Sequence, residues 1–281
     1  MIWTIVEIEE AKCRLPREFA KYAKEKEITH YIKFFEQFNI KNGELYYDGE
    51  KISVFPKLAV FRGYVPELYV HLEKRGVRII NSAFTIDNCR DKLATKRILD
   101  KNGISSPKTL HYKTPITYKD ICTELGTEFI VKDRFGRGGT ATYLIKNESD
   151  LNKVLEKADI RRMLFQEYIK TSYGKDVRAY VVGSKIIATF LRADGHDFRS
   201  NITQGGKAFP YEMTKEQQAR TLRINEILKG EIVAIDYLLG GDDLVLCETN
   251  SNPGVGYDYT MIGFDIPKMV FEYISEQYFT L

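Results

Sequence analysis

The chain has 281 residues, of which 43% are hydrophobic and 29% are charged, and this globular composition excludes a disordered protein. Its 42 Lys and Arg residues nearly balance 39 Asp and Glu residues, and the net charge of +3 argues against nucleic-acid binding as the main function. Four scattered cysteines without a Cys-x-x-Cys pair predict reduced thiols in a cytoplasmic protein. No apolar run reaches the roughly 18 residues of a membrane-spanning helix, so we expect no membrane partner.

Strand and helix alternate through the first 84 residues. The patterns predict strands over 2–8, 57–61 and 77–81, and helices over 15–27 and 66–74. Such alternation is typical of an α/β unit with a parallel sheet. We therefore expect an N-terminal α/β domain over residues 1–84.

The next segment is predicted to hold one long helix and a glycine-rich loop. A helix is expected over 86–102, because Ile86, Cys89 and Leu93 share one face and Gly103 lies at the position of a C-terminal cap. Strands over 129–132 and 140–145 flank the loop, and a helix is expected over 149–158. These elements predict a central lobe over residues 85–165.

The C-terminal part is predicted to be α+β and largely antiparallel. Its expected strands are 163–169, 177–182, 185–191, 232–239 and 244–249, with a helix over 214–228. Gly183 and Ser184 form a hairpin turn between two of these strands. We expect a separate lobe over residues 166–281.

The loop Gly136, Arg137, Gly138, Gly139, Thr140 and Ala141 matches the G-x-G-x-x-A fingerprint of dinucleotide-binding proteins. That fingerprint requires a following helix, whereas residues with strand preference follow here. Two interpretations stay open. The loop is either a plain hairpin turn, or a flap whose backbone N–H groups cover phosphates with help from Lys132.

Asp236 is anomalous because it lies within the apolar segment IVAIDYLL. An unpaired buried carboxylate costs several kcal/mol, on the order of magnitude, so it needs a partner. Pairing with LVLCET through a three-residue loop places Asp236 opposite Glu248, with Asn250 two residues further on the same face. Oxygen ligands of this kind suit Mg²⁺ or Mn²⁺. The alternative is a buried carboxylate pair satisfied by nearby Arg or Lys.

Three further polar patches are ambiguous by themselves. Arg199, Ser200 and Asn201 precede a glycine pair and suit an anion, although a solvated loop explains them as well. Asp176 and Arg178 fit a surface ion pair. The segment 166–169 is polar within a strand-like stretch.

Together and in this order, the motifs resemble the ATP-grasp superfamily, and most closely the RimK-like carboxylate–amine ligases. The matching segments are Asp91-Lys92, IVK with the glycine loop, QEYI, GKDVRAYVVG, DFRSN followed by GG, AIDYL and ETNSNPG. The resemblance implies an ATP-grasp fold, in which a parallel N-terminal α/β domain precedes two α+β lobes that sandwich ATP. The flap departs from the usual pattern, because Asp133 replaces a common proline and Arg134 and Arg137 flank a phenylalanine.

The resemblance also implies residue roles. Lys92 and Lys132 would hold the phosphates, under a flap of Gly136, Gly138, Gly139 and Thr140. Adenine and ribose would contact Gln166, Glu167, Tyr168, Ile169 and Asp176. Arg199, Ser200 and Asn201 would face the γ-phosphate, and catalysis would rest on Arg199 and Lys132. Two metal ions would bind Asp236, Glu248 and Asn250, and the substrate carboxylate would contact Arg62 and Arg178.

The implied activity is ATP-dependent amide or peptide-type bond formation through an acyl phosphate. The implied substrate is an amino acid, a peptide or a protein tail, and relatives of this kind commonly form dimers or tetramers. An inactive nucleotide-binding regulator or scaffold is an alternative, but the presence of all the predicted phosphate and metal ligands favours an enzyme. The DFRSN segment argues against another branch, such as a D-alanine ligase.

Overall fold

The computed structural model describes residues 1–194, 198–199, 207–254, 260 and 263–279. Its strands are β1 (Ile2–Val6), β2 (His30–Phe34), β3 (Phe38–Lys41), β4 (Glu44–Tyr47), β5 (Glu50–Lys51), β6 (Leu58–Phe61), β7 (Arg78–Ile80), β8 (Thr109–Leu110), β9 (Phe129–Asp133), β10 (Thr142–Ile145), β11 (Met163–Glu167), β12 (Lys175–Val182), β13 (Lys185–Ala193), β14 (Lys207–Pro210), β15 (Ile232–Leu239) and β16 (Leu244–Asn250). Its α-helices are α1 (Arg14–Glu25), α2 (Pro66–Lys74), α3 (Ala83–Arg90), α4 (Lys92–Lys101), α5 (Tyr118–Leu125), α6 (Glu148–Leu155), α7 (Lys215–Ile227) and α8 (Ile266–Phe279). Among the described residues, no helix is both long and apolar enough to cross a membrane.

The N-terminal part contains a parallel sheet in the order β2-β1-β6-β7, which confirms the α/β prediction for this region. Every residue of β1 and β6 is buried, because helices and loops cover both faces of these central strands. A small antiparallel sheet, β3-β4-β5, is inserted after β2. These strands were not predicted, because nearly all of their residues are exposed or half-buried and show no strict alternation.

The remaining strands form two antiparallel sheets, as the C-terminal hairpins predicted. One has the order β10-β9-β11-β8 and carries the glycine loop between its first two strands. The other has the order β14-β13-β12-β15-β16. Its core continues into the N-terminal part, where Phe19 of α1 packs edge-to-face on Phe271 of α8 with 5.3 Å between ring centroids.

A buried asparagine connects the parallel sheet to the C-terminal sheet through hydrogen bonds. Asn81 follows β7, and its side-chain amide donates to the carbonyls of Ile232 and Ser251, both at 2.7 Å. Its Oδ1 accepts from the backbone N–H groups of Glu231 and Ile232. The amide therefore makes four hydrogen bonds to backbone, which use both of its N–H donors and both lone pairs of its oxygen.

The single helix predicted over 86–102 is wrong, because the structure has two helices separated at Asp91. The Asp91 side chain accepts from the backbone N–H groups of Leu93 and Ala94, and so caps the second helix. Asp91 also pairs with Arg134. The break places Lys92 at the first position of α4, where it lies beside the glycine loop.

The last hairpin pairs Asp236 with Glu248, as predicted from the sequence. The route to this register differs from the prediction, because Leu239 pairs with Leu244 across a four-residue loop. A register shift next to Asp236 then restores the pairing with Glu248.

Candidate functional site

A cleft of about 330 Å³ opens between the two antiparallel sheets and is covered by the glycine loop. It brings together most of the predicted site residues, although they are spread along the chain from Lys92 to Asn250. Those that line it are Lys92, Lys132, Gly136, Gly138, Gly139, Gln166, Glu167, Tyr168, Ile169, Asp176, Arg178, Arg199, Glu248 and Asn250. Of the other predicted residues that the structure describes, Arg62, Thr140 and Asp236 are outside the lining. Ser200 and Asn201 lie outside the described residues.

Lys132 provides a buried ammonium group at the end of β9. The side chain is 6% exposed, and its Nζ donates to Oε1 of Gln166 at 2.8 Å. Gln166 is oriented in turn by a 2.9 Å bond from its Nε2 to Oγ1 of Thr109. Burial lowers the pKa of Lys132. A buried cation whose hydrogen-bond partner is a neutral amide is suited to bind an anion, because the anion would restore its charged form.

The glycine loop is attached to its surroundings at three points. Lys92 donates from Nζ to the Gly136 carbonyl at 2.5 Å, and Arg199 donates from Nη1 to the Gly139 carbonyl at 2.9 Å. Arg134, at the start of the loop, pairs with Asp91. Gly138 and Gly139 have φ angles of 60° and 70°, which residues with a Cβ adopt only with strain. The loop joins β9 to β10, so the dinucleotide-type turn into a helix is excluded by the structure.

Four alternating charges, Asp176, Arg178, Arg192 and Asp236, form a largely buried network in the wall of the cleft. Asp236 is 2% exposed and receives two bonds from Arg178, at 2.7 and 2.6 Å. Arg192 lies 3.2 Å from the same carboxylate and also binds Asp176 through Nε at 2.6 Å. Burial alone would raise the pKa of Asp236, but the two arginines lower it below its ordinary value.

Arg192 was missed in the sequence, although it stands out as a cation in the apolar segment IIATFL-R-A. Arg192 is the cross-strand neighbour of Asp176, but the two-residue turn at Gly183 and Ser184 does not predict this pairing, because the register shifts between Tyr180 and Val181. Arg178 is likewise the cross-strand neighbour of Asp236. Within this network, the contacts of Asp236 are those of the alternative interpretation, a carboxylate satisfied by arginine.

Of the three predicted metal ligands, Glu248 and Asn250 reach the cleft. The Glu248 side chain is 36% exposed and lies 3.7 Å from Lys92 Nζ, and the Asn250 Oδ1 accepts from the Asn252 backbone at 2.8 Å. A carboxylate and a carboxamide on one wall are donors of the type that Mg²⁺ prefers. Among the described residues, no group of three or more His, Cys, Asp or Glu forms a metal-ligating cluster. The two donors fit a metal that also takes ligands from substrate phosphates.

The other end of the cleft is formed by the residues after β11. Glu167 is bonded to Lys108 twice, through its backbone N–H at 2.9 Å and through its carboxylate at 3.2 Å. Tyr168 and Ile169 follow on the cleft wall. Arg62 lies at a different place, where its Nη2 donates to the Pro253 carbonyl at 3.0 Å.

The sequence matches a protein-family model and several known proteins. The model of the RimK-like ATP-grasp domain matches residues 89–274. A probable alpha-L-glutamate ligase of Methanococcoides burtonii is 31% identical over 244 residues, which cover 83% of this chain and 80% of the relative. A second probable alpha-L-glutamate ligase, from Vibrio atlanticus, is 31% identical over 247 residues, with 84% and 81% covered.

Solved structures with this fold are also found. The ATP-grasp ligase PsnB in complex with a phosphomimetic variant of its minimal precursor, Mg and ADP matches with a TM-score of 0.75 and 16% identity, covering 98% of both chains. At this identity the likeness concerns the fold alone. It confirms the predicted ATP-grasp fold, with its α/β and α+β parts.

Proposed function

The chain belongs to the RimK-like ATP-grasp family and is an ATP-dependent carboxylate–amine ligase, and from this premise we propose that L-glutamate is one of its two substrates. The family match confirms the resemblance drawn from the motifs. Relatives named as probable alpha-L-glutamate ligases support the choice of L-glutamate. The carboxylate partner in this proposal is an amino acid, a peptide or a protein tail.

The observation that carries the proposal is the convergence of cations, flap and oxygen donors on one cleft. Lys92 and Lys132 supply positive charge from separate elements, and Glu248 and Asn250 face them with metal-binding oxygens. We propose that the two lysines hold the triphosphate, while the loop of residues 136–140 covers it. Such an arrangement stabilises charge that develops on a transferred phosphoryl group.

The remaining nucleotide contacts are assigned on the same basis. In the proposal, the adenine lies against the segment 166–169 and the ribose beside Asp176. Arg199, with Ser200 and Asn201, faces the γ-phosphate. Arg199 is supported by its bond to the Gly139 carbonyl, which ties it to the flap at the position that phosphates would occupy.

Two Mg²⁺ ions, or Mn²⁺ in their place, are proposed to bind Glu248, Asn250 and Asp236. When bound, the metal would neutralise phosphate charge and make the γ-phosphorus more electrophilic. Glu248 and Asn250 already face the cleft. Asp236 would have to exchange part of its pairing with Arg178, and the released guanidinium would then be available to the substrate carboxylate.

The proposed reaction proceeds in two transfers. A carboxylate oxygen attacks the γ-phosphorus of ATP, the bond to the β-phosphate oxygen breaks, and ADP leaves an acyl phosphate. The amine nitrogen then attacks the acyl carbon, loses one proton and expels phosphate, so that an amide remains. Arg199 and Lys132 stabilise the negative charge of both steps, and the flap excludes water that would hydrolyse the acyl phosphate.

We propose three units, at residues 1–84, 85–165 and 166–281, with the cleft between the last two. We further propose that the protein is cytoplasmic and forms a homodimer or homotetramer, without a nucleic-acid partner.

The test is ADP release with Mg²⁺, ATP and L-glutamate across a panel of carboxylate acceptors, including glutamate-ended peptides. We expect at least one acceptor to stimulate ADP release, with an amide product of the combined mass. Glu248→Ala should abolish the stimulated rate, whereas Glu226→Ala, a surface variant outside the cleft, should retain it. Absence of stimulation by every acceptor, or an active Glu248→Ala variant, would refute the proposal.

A further inference from the structure

A second group of charges lies at the carboxyl ends of the parallel strands, next to the cleft. Strands β1 and β6 pair in parallel, so the residues that follow them meet at one edge of the sheet. Glu10 lies in the short 3-10 helix after β1, and Arg62 follows β6, where its backbone N–H donates to the Ile5 carbonyl at 2.9 Å. The carboxyl edge of an open parallel sheet is the usual place for ligands in such folds.

Two further arginines reach this edge from other elements. Arg90 ends α3, and its guanidinium lies 4.1 Å from the ring centroid of Tyr64. Arg137 is carried by the flap and lines the cleft. We call Arg62, Arg90 and Arg137 the arginine cluster.

The arginine cluster is continuous with the cleft through the chain after β16. Arg62 donates to the Pro253 carbonyl at 3.0 Å, and the Tyr180 hydroxyl donates to the next carbonyl, that of Gly254, at 2.6 Å. Gly254 itself lines the cleft. The strand that presents Glu248 and Asn250 therefore leads directly to the cluster.

The cluster contains more positive charge than its protein partners neutralise. Within the described part of the chain, no ion pair or hydrogen bond joins the Arg90 or Arg137 guanidinium, or the Glu10 carboxylate, to an opposite charge. Burial lowers the pKa of Arg137, and the neighbouring charge of Arg90 lowers it further, against the attraction of Glu7 and Glu10. Burial also raises the pKa of Glu10, and the neighbouring charge of Glu7 raises it further, against the attraction of Arg62 and Arg137. Arg137 lines the cleft, and Arg62 bonds to the Pro253 carbonyl, next to Gly254 of the cleft lining. This end of the cleft is therefore bordered by guanidinium groups that could bind an anionic ligand.

We propose that the arginine cluster and Glu10 bind the amino-acid substrate, with the guanidinium groups on its carboxylates and Glu10 on its amino group. The choice of L-glutamate as that substrate rests on the proposed function. Its two carboxylates and one ammonium group complement three arginines and one glutamate, and guanidinium–carboxylate bonds are strong because both partners are charged.

The flap makes Arg137 a residue that determines specificity. A carboxylate bound by Arg137 adds a fourth attachment to a loop that is otherwise held by its contacts to α4 and Arg199. Occupation of the cluster thereby favours the covered form of the cleft, in which the acyl phosphate is protected from water.

The experiment is a calorimetric titration of L-glutamate into the full chain with ADP and Mg²⁺ present. Arg90→Gln and Arg137→Gln should each weaken L-glutamate binding about 10-fold or more, because each removes one charged hydrogen-bonding partner. Arg161→Gln, which removes an exposed arginine paired with Asp159, is the matched control and should bind L-glutamate as the unaltered protein does. The diamide of L-glutamate, which lacks both carboxylates, should not bind.

ADP affinity and glutamate-dependent turnover distinguish three outcomes: the cluster does not bind L-glutamate, the variant is misfolded, or the proposed ligase activity is wrong. ADP affinity within about 2-fold of the unaltered protein shows that Arg90→Gln is folded. Undiminished L-glutamate affinity in both variants overturns the proposal, as does a lack of L-glutamate binding to the unaltered protein. If L-glutamate binding depends on the arginine cluster but no acceptor supports turnover, the binding site is supported and the proposed ligase activity is refuted. Glutamate-dependent turnover with an unchanged KM for L-glutamate in both variants refutes the cluster alone.

Discussion

Removal of the Asp236 carboxylate should destabilise the protein strongly, apart from any effect on metal binding. Asp236 is 2% exposed, and Arg178, whose side chain is 12% exposed, directs both of its bonds to this carboxylate. In Asp236→Ala, Arg178 loses this partner and stays largely buried. An uncompensated buried charge of this kind costs about 3–5 kcal/mol of unfolding free energy.

A double-mutant cycle tests whether the unpaired charge of Arg178 causes the loss of stability. Asp236→Ala combined with Arg178→Met, with Arg178→Met alone as the other single variant, removes both members of the pair, and Arg192 keeps its bond to Asp176. Replacement of a buried pair by apolar side chains is often neutral, so the double variant should recover at least about 2 kcal/mol of the loss. If the loss came only from the cavity that each substitution leaves, the losses of unfolding free energy in the two single variants would add up in the double variant.

The assay is urea unfolding followed by circular dichroism, with Glu248→Ala as the matched control. Glu248 is on the neighbouring strand, but its side chain is 36% exposed and 3.7 Å from Lys92, so its loss should cost less than about 1 kcal/mol. A cost below about 1 kcal/mol for Asp236→Ala, or no recovery in the double variant, would refute the reasoning.

Three further predictions concern binding and stability. Lys132→Met should weaken ATP binding about 10- to 100-fold in calorimetry, because it removes the buried cation beside Gln166. Asn81→Ala should lower the unfolding free energy by about 4 kcal/mol, since it removes four hydrogen bonds to backbone. His30, whose pKa burial lowers to about 4, favours the folded state above its unfolded pKa of about 6.5. Stability should therefore fall by about 2 kcal/mol between pH 7.5 and pH 5, and His30→Gln should remove this part of the pH dependence.

A specific result would contradict each of these three predictions. Unaltered ATP affinity in Lys132→Met would place the phosphates elsewhere in the cleft. A loss under about 1 kcal/mol in Asn81→Ala would mean that water replaces its bonds. An identical slope of unfolding free energy against pH in the unaltered protein and in His30→Gln would assign the acid sensitivity to other groups.

The sequence correctly predicted helices and strands where the apolar residues recur with a clear helix or strand period. Helix α2 was predicted with its observed limits, because Pro66 opens it and Gly76 follows its end. The pairing of Asp236 with Glu248 was also predicted, although the loop has four residues and a register shift corrects the difference. The helix break at Asp91 was not predicted, since the apolar face of the segment continues across it. Only the pairing with Arg134, 43 residues away, shows why the chain is interrupted there.

The sequence by itself determined the fold class and the family, because both depend on motifs of adjacent residues that any member must carry in the same order. The tertiary structure decided which charges meet. Arg192 joins Asp176 and Asp236 only because three strands are in register, and Arg137 of the flap lines the same cleft as Asn250 only because the two antiparallel sheets face each other. Electrostatic interactions depend on distance and burial in space, and neither quantity is set by separation along the chain.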